Sequence, residues 1–450
     1  SFANQGQFCE RGGEWIDSTH HETIGLAHEF GLDIENVGAK RQGEDLFFFE
    51  GKYYKPSDFL EYEPGKDNSK GGFVALAKYI RADRDRAKTS KSYARELDAT
   101  NVHDYLQKAK TEALMPDGTP TPDWVIDAID MAYKGEFGVH TTRQSSLLLI
   151  NQIGVGPRHP FEVYGPRQDE SRRIKGGNSL LIEALVKKCK ELGVTFHNKT
   201  KLTKIEYDGR RHGGEGVSLK FHRNEAVEGV KDFMNTFDHA ICTVPFTKLR
   251  ELKGLGLSEL RRQGLLSREK FDAIHQLQYG NITKVMLGMK HLPIDKIPGS
   301  NGSFRTDDPF LQNTWITSIG QPGMEAILTI LVAGDVVDDL KLQKIVDGCK
   351  NAFCRMVKME RQDIFNENKT MQAWGVDHLF KGSYSAFAPG QYGEMRLHAG
   401  TPEVKGRLGF AGEHTDPEDY GYMNGAIRSG IREAERIIAM EMGRGTAIRR

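Results

Sequence analysis

Hydrophobic positions along the chain fall into two regimes. From residue 72 to about 149, apolar residues recur at helical spacing, punctuated by a Pro- and Gly-rich cluster at 116–122. That pattern predicts a mainly helical block. After Ile174 the pattern changes. Gly176-Gly177-Asn178-Ser179 predicts a helix start, with Leu181, Ala184, Leu185 and Cys189 on one face and Gly193 as the stop. Short β signals follow at 194–196, 202–207, 217–221 and 239–244, with a turn at Asp208-Gly209 and Pro245 closing the last strand. Strands and helices then alternate from 258 to 370, including strands at 283–289 and 326–332. Nearer the start, Thr19-His20-His21-Glu22 reads as a capping box for a helix that Gly31 ends. Residues 46–49 and 51–54 read as a hairpin.

The stretch 406–438 gathers these signals. A short apolar run at 408–411 predicts a buried strand, and an acidic loop follows at 413–419. Gly421-Tyr422-Met423-Asn424-Gly425 then opens an amphipathic helix with Met423, Ile427, Gly430, Ile431, Ala434 and Ile438 apolar. A strand, a polar loop and a glycine-flanked helix start present backbone N–H groups and a positive dipole end to an electron-rich ligand.

A length of 450 residues predicts two or three domains with ample core. Lys and Arg number 62 against 62 Asp and Glu, so there is no electrostatic case for nucleic acid or an anionic membrane. No apolar run approaches the ~18–20 residues of a membrane span. The first residues lack the basic start and apolar core of a signal peptide. Five cysteines without CxxC spacing predict a reduced, cytoplasmic protein without a structural zinc site. His20 and His21 are adjacent and have no carboxylate–His spacing around them, so no metal site is expected and both should face solvent. No Ser-His-Asp or paired-carboxylate arrangement stands out for hydrolysis.

Five segments carry a resemblance: ERGGEWID at 10–17, KGGNSLLIEAL at 175–185, AICTVPFTKLR at 240–250, GSYSAFAPGQY at 382–392 and FAGEHTDPEDYGYMNGAIRSGIREA at 410–434. In these segments and their order the chain resembles the flavin-dependent amine oxidases, the group of monoamine, polyamine and L-amino acid oxidases. The resemblance implies an α/β (α+β) two-domain flavoprotein. Its Rossmann-like FAD-binding domain would comprise 1–38, 166–254 and 399–450. Its substrate domain would have a helical part at 39–165 and a sheet part at 255–398. FAD, a small-molecule amine or amino acid, O2 and a homodimer are implied with it. The family's opening strand–GxGxxG–helix unit has no counterpart in these 450 residues. The expectation is that this N-terminal βαβ unit is missing from an incomplete sequence, with a true truncation or supply by another chain as alternatives.

Site residues follow from the same resemblance. Gly12, Gly13 and Glu14 would lie at the flavin's edge with Trp15 nearby, Leu202 would offer backbone to the adenine, and Val244 would stand beside the pyrophosphate. Gly412, Glu413, Gly421 and the backbone of Met423 would hold the flavin arm and ring. Tyr422 and Tyr384 match the family's two cage aromatics, Trp374 is a further wall, and Lys284 matches the lysine that holds a water against the flavin. A lysine inside an apolar strand is costly unless paired; a snorkelling edge-strand lysine is the alternative. Ser383 stands where monoamine oxidases have a flavin-linked cysteine, so non-covalent FAD is expected. An L-amino acid is the first choice of substrate. Trp15-Ile16, where some amino acid oxidases have a carboxylate-binding arginine, is closer to polyamine oxidases, so a carboxylate would need another clamp, with Arg143 and Arg305 unranked. A non-catalytic scaffold and a monooxygenase are the other readings.

Overall fold

The computed structural model describes residues 6–55, 72–155, 162–165, 169–209, 216–227, 230–251, 256–297, 299–333 and 342–448. The first strands are β1 (Ile34–Asn36), β2 (Glu44–Phe49), β3 (Lys52–Tyr54) and β4 (Arg172–Ile174). Then come β5 (Thr200–Asp208), β6 (Gly216–Val227), β7 (Val230–Phe237), β8 (Ala240–Cys242) and β9 (Ile282–Met289). The last are β10 (Ser300–Thr306), β11 (Asn313–Ile316), β12 (Ala326–Ala333), β13 (Phe365–Ala373) and β14 (Leu408–Phe410). Helix α1 (His21–Glu29) precedes a block of α2 (Gly72–Thr89), α3 (Lys91–Ala99), α4 (Val102–Glu112), α5 (Asp123–Phe137) and α6 (Ser146–Gln152). Helices α7 (Ser179–Glu191), α8 (Phe246–Glu251), α9 (Leu257–Arg262) and α10 (Arg268–Gln276) follow. Next are α11 (Leu342–Val357), α12 (Arg361–Ile364), α13 (Met395–His398) and α14 (Met423–Ile448). The chain divides into two compact units, 1–181 with 278–393, and 182–277 with 394–450.

The first unit is built on a seven-stranded mixed sheet in the order β13-β9-β12-β11-β10-β2-β3. The β2–β3 hairpin forms where the alternation predicts it, and β2 joins β10 in parallel. One face of the sheet is apolar. Val285, Leu287 and Met289 of β9 and Ile330 of β12 pack with Ile345, Cys349 and Phe353, which recur at helical spacing on α11. Each such side chain contributes ~1.5–3 kcal/mol on burial. The helical block also forms as predicted. Ser90, Asn101 and Ser145 cap α3, α4 and α6 with side-chain oxygens. Gly138 ends α5 at φ 64°, and a Cβ there would meet Ile282 and the Asn281 backbone, so this close approach requires glycine.

The second unit holds an antiparallel sheet β5-β6-β7 and a parallel pair β8-β14. Residues 194–196 form no strand; Val194 and Phe196 are exposed beyond the end of α7. The apolar composition of that stretch is real, but it has no strand partner. The sequence reading also missed β7, because VKDFMNTF mixes polar residues onto both faces of an exposed ribbon.

Helix α14 inverts the expected packing. Ile431 is 46% exposed and Ile438 55%, while Asn424, Ser429 and Glu433 are buried. Polar partners replace the apolar seam. Glu433 binds Arg432 and Arg436, and Arg432 donates to the carbonyls of Phe410 and Thr415. A buried charge bonded on both oxygens can hold a helix where periodicity would assign an isoleucine face.

Candidate active site

In the first unit, the segment from Gln7 to Ile16 crosses the other face of the sheet. Gln7 donates to the carbonyls of Pro322 and Glu325, and Cys9 packs against Met286 and Ile327. Asn178 of the KGGN segment ties the segment down: its amide donates to the carbonyls of Gly13 (3.0 Å) and Glu14 (3.1 Å). Two of the five resembling segments thus meet through one asparagine.

Lys284 lies in the interior of the sheet, paired across to Leu331 on one side and Gln372 on the other. It is 3% exposed, so the edge-strand alternative does not hold. Its Nζ donates to Glu14 Oε2 at 2.9 Å and to the Gly12 carbonyl at 3.1 Å, and stands 5.1 Å from the Trp315 ring centre. Trp315 in turn lies 6.4 Å from Trp15, centroid to centroid. Several buried polar atoms here have no hydrogen-bond partner: Glu14 Oε1, Trp15 Nε1 and Trp315 Nε1. Buried polar groups are rarely left unspent, and such a cluster marks a place that receives a ligand or water.

Trp374 fixes the same segment from another side. Its indole N–H donates to the Arg11 carbonyl at 3.1 Å, and a Cβ on Gly12 would sit 3.6 Å from its ring. Gly12, Gly13, Glu14, Trp15, Lys284 and Trp374 are therefore brought together. Tyr384 is tied to the end of α5, its hydroxyl donating to the Glu136 carbonyl. Ser383 donates its N–H to the Gly280 carbonyl at 2.8 Å.

In the second unit, β14 runs into Gly412 at φ 127°, where a Cβ would come within 2.7 Å of the His414 ring. Only a glycine leaves that strand end bare. Ser429 of α14 brackets it, accepting from the Gly412 N–H at 2.9 Å. Glu413 Oε2 accepts the Gly421 N–H at 2.7 Å, so one of its oxygens shapes the loop. Asp416, Glu418 and Asp419 all pair with Arg428. Glu413, Gly421, Tyr422 and Met423 thus converge at the start of α14. Val244 sits just past β8, whose neighbour is β14, whereas Leu202 lies on β5 in the separate ribbon sheet. Burial against Phe246 pushes His414 down to about 3, so the ring is neutral. Lys270, whose Nζ is 4.0 Å from the Phe410 ring centre, is lowered to about 7 by burial.

His20 does not face solvent. It is 4% exposed, with Nδ1 accepting the Asp17 N–H and Nε2 3.3 Å from Asp17 Oδ2. Helix α1 starts at His21 with His20 in the cap position and no side-chain cap bond, so the Thr19 capping box does not form. His21 is exposed. Among the described residues no cluster of His, Cys, Asp or Glu is placed to hold a metal, and no helix is long and apolar enough to cross a membrane. Sequence reasoning missed Trp315, Glu136 and the pairing of Glu14, and left Arg305 unranked beside Arg143. A signal existed for Glu14, as the nearest acid to a lysine that needed a partner.

The family model described as "Flavin containing amine oxidoreductase" matches residues 1–438. A flavin-dependent L-tryptophan oxidase, RebO, from Lentzea aerocolonigenes is 24% identical over 97% of this chain and 88% of its own length. A putative L-amino-acid oxidase, YobN, of Bacillus subtilis is 27% identical over 69% of this chain and 58% of its own length. A lysine-specific histone demethylase homolog of Oryza sativa is 28% identical over 59% of this chain, and the match spans 30% of that relative's length. Among solved structures, putrescine oxidase aligns with a TM-score of 0.73 at 17% identity, covering 96% of this chain and 88% of that one. Cyclohexylamine oxidase from Brevibacterium oxydans aligns with a TM-score of 0.71 at 16% identity, with the same coverage. Both structures share the mixed α/β fold.

Proposed function

The chain belongs to the flavin-containing amine oxidoreductase family, and from that premise we propose that it oxidises the C–N bond of a primary amine, an L-amino acid first, with FAD bound non-covalently. The observation that carries the reading is the buried Lys284–Glu14 pair, at 2.9 Å, beside unspent polar atoms of Trp15 and Trp315. The residues present fit a flavin. Gly412 offers a strand end without a side chain, and the first turn of α14 offers backbone N–H groups suited to an anionic or electron-rich edge.

When bound, FAD supplies the two-electron acceptor for the C–H bond beside nitrogen. The chain's own residues position and exclude. Lys284, anchored by Glu14 and the Gly12 carbonyl, holds a water at the reacting end. Tyr384 and Tyr422 supply aromatic faces that orient an amine without donating to its lone pair. Trp374 keeps the Gly12 backbone in place. Loss of two electrons gives an imine, water hydrolyses it to a carbonyl and ammonia, and O2 accepts the electrons as hydrogen peroxide. Residues 1–38, 166–254 and 399–450 serve the cofactor and the remainder the substrate, in a cytoplasmic homodimer.

Polyamine or monoamine oxidation is the second reading, favoured by Trp15-Ile16, which leaves no arginine directly after the paired glycines. A peroxide-coupled screen of L-amino acids, monoamines and polyamines tests both. Peroxide and ammonia from at least one L-amino acid are expected. Turnover confined to amines without a carboxylate would select the second reading, and a colourless protein that takes up no FAD would leave a scaffold.

A further inference from the structure

On the polar face of the first unit's sheet, strands that are otherwise buried keep a few half-exposed positions: Arg305 in β10, Asn313 and Trp315 in β11, and Leu331 in β12. Register sets Arg305, Asn313, Leu331 and Lys284 in one row across four strands. Residues paired directly across a sheet share a face, and at ~4.8 Å per strand the three steps separate Arg305 from Lys284 by about 14 Å, backbone to backbone. The open positions between them make a floor running from the lysine to the arginine.

Arg305 has binding capacity left. Nη1 is 3.5 Å from Asp45, the guanidinium lies 5.0 Å from the Tyr164 ring and 5.9 Å from Phe47, and Nε is buried without a partner. Tyr164, Asp45 and Glu170 hold it charged against the cost of burial. The end of α5 packs on the same row: a Cβ on Gly135 would lie 4.0 Å from that of Asn313, the residue paired with Arg305, and Glu136 is the next residue along. Burial, with Glu170 and Asp17 adding to it and Arg305 opposing, pushes its carboxyl up to about 8. Tyr164 and Tyr133 are the other titratable groups around it. Below that pH Glu136 is a protonated O–H donor. Arg143, the other arginine open from sequence, is exposed, with its guanidinium 3.4 Å from Gln278.

We propose that Arg305 and Glu136 together grip the carboxylate of the substrate, Arg305 donating N–H and Glu136 donating O–H, and so set the preference for amino acids over plain amines. The assignment rests on the amine-oxidising reading above. An arginine fork is the usual partner for a carboxylate, and a neutral acid beside it adds a donor without adding a repelling charge. A cationic substrate end would give the opposite pH trend, because it favours the ionised Glu136.

The test is calorimetric titration of the FAD-loaded protein with 3-phenylpropionate and with 3-phenylpropylamine, from pH 6 to 9.5. The carboxylate is expected to bind more tightly than the amine and to weaken as pH rises through about 8. Arg305→Met should weaken carboxylate binding ten-fold or more, Arg305→Lys less, and Glu136→Gln should flatten the pH trend. Melting curves establish that each variant is folded; if Arg305→Met is not, the Arg305→Lys and Glu136→Gln profiles decide. Unchanged carboxylate affinity in the folded Arg305 variants, absence of carboxylate binding to the unmodified protein, or tighter amine binding that strengthens with pH would overturn the proposal. Loss of carboxylate binding in Arg305→Met by a protein that oxidises no amine would uphold the clamp and reject the amine-oxidising reading.

Discussion

The two faces of the seven-stranded sheet are made by the same strands and do different things. Against α11, β9 and β12 present Val285, Leu287, Ile330 and Val332, which pack with Phe353 and Cys349. On the reverse they present Lys284 and Leu331, with Trp315 and Arg305 from the next strands. Because side chains alternate with period two, one strand can commit one face wholly to stability and the other to chemistry. Damage to the two faces should therefore read out differently.

The largest expected effect is on the apolar face. Phe353→Ala should cost ~3–5 kcal/mol of stability by leaving a cavity, seen as a lower denaturant midpoint, while folded molecules keep their turnover. A comparable loss of turnover per folded molecule would break the contrast. Next comes the buried pair. Glu14→Leu leaves Lys284 without its carboxylate and should cost ~3–5 kcal/mol. The double variant Glu14→Leu/Lys284→Met should recover most of it, since an apolar replacement of both partners is often neutral. A double variant as unstable as the single one would mean that the pair is not what Glu14 contributes.

Lys284→Met alone leaves the buried Glu14 carboxylate unpaired, so it should also lower stability, short of unfolding the protein, and slow either flavin reduction or reoxidation by O2. Unchanged rates in both half-reactions would remove the lysine from the chemistry. The smallest effect concerns pH. Glu136 has a folded value of about 8 against an ordinary 4.5, so the folded protein binds the extra proton between them. Its contribution is fully present below about 4.5 and is lost as pH rises through about 8. Glu136→Gln should flatten that part of the stability–pH curve, measured by urea titration at a series of pH values.

The apolar face was largely legible in the sequence, since β9, β12 and the β2–β3 hairpin follow period-two or continuous apolar runs. Lys284 was legible as an anomaly within such a run. Arg305 was legible only as one of two unranked arginines: SNGSFRT of β10 carries no alternation, and its place in the row of Lys284 depends on register with β11 and β12, which no local pattern encodes. Helix α14 misled for the converse reason. Its isoleucines have the right period, but the Glu433–Arg432–Arg436 network took the buried side. The five resembling segments identified the reaction class, whereas the pairing of Glu14 with Lys284 and the clamp of Asn178 on Gly13 needed coordinates.

The proposed function requires that this chain carry a dissociable flavin reduced by an amine. The most direct measurement is the visible absorbance of the FAD-loaded protein mixed anaerobically with L-amino acids and amines, followed by admission of air. Bleaching by at least one L-amino acid, recovery of the spectrum with release of peroxide in air, and free FAD after acid precipitation are expected. A spectrum that no amine or amino acid bleaches would contradict it.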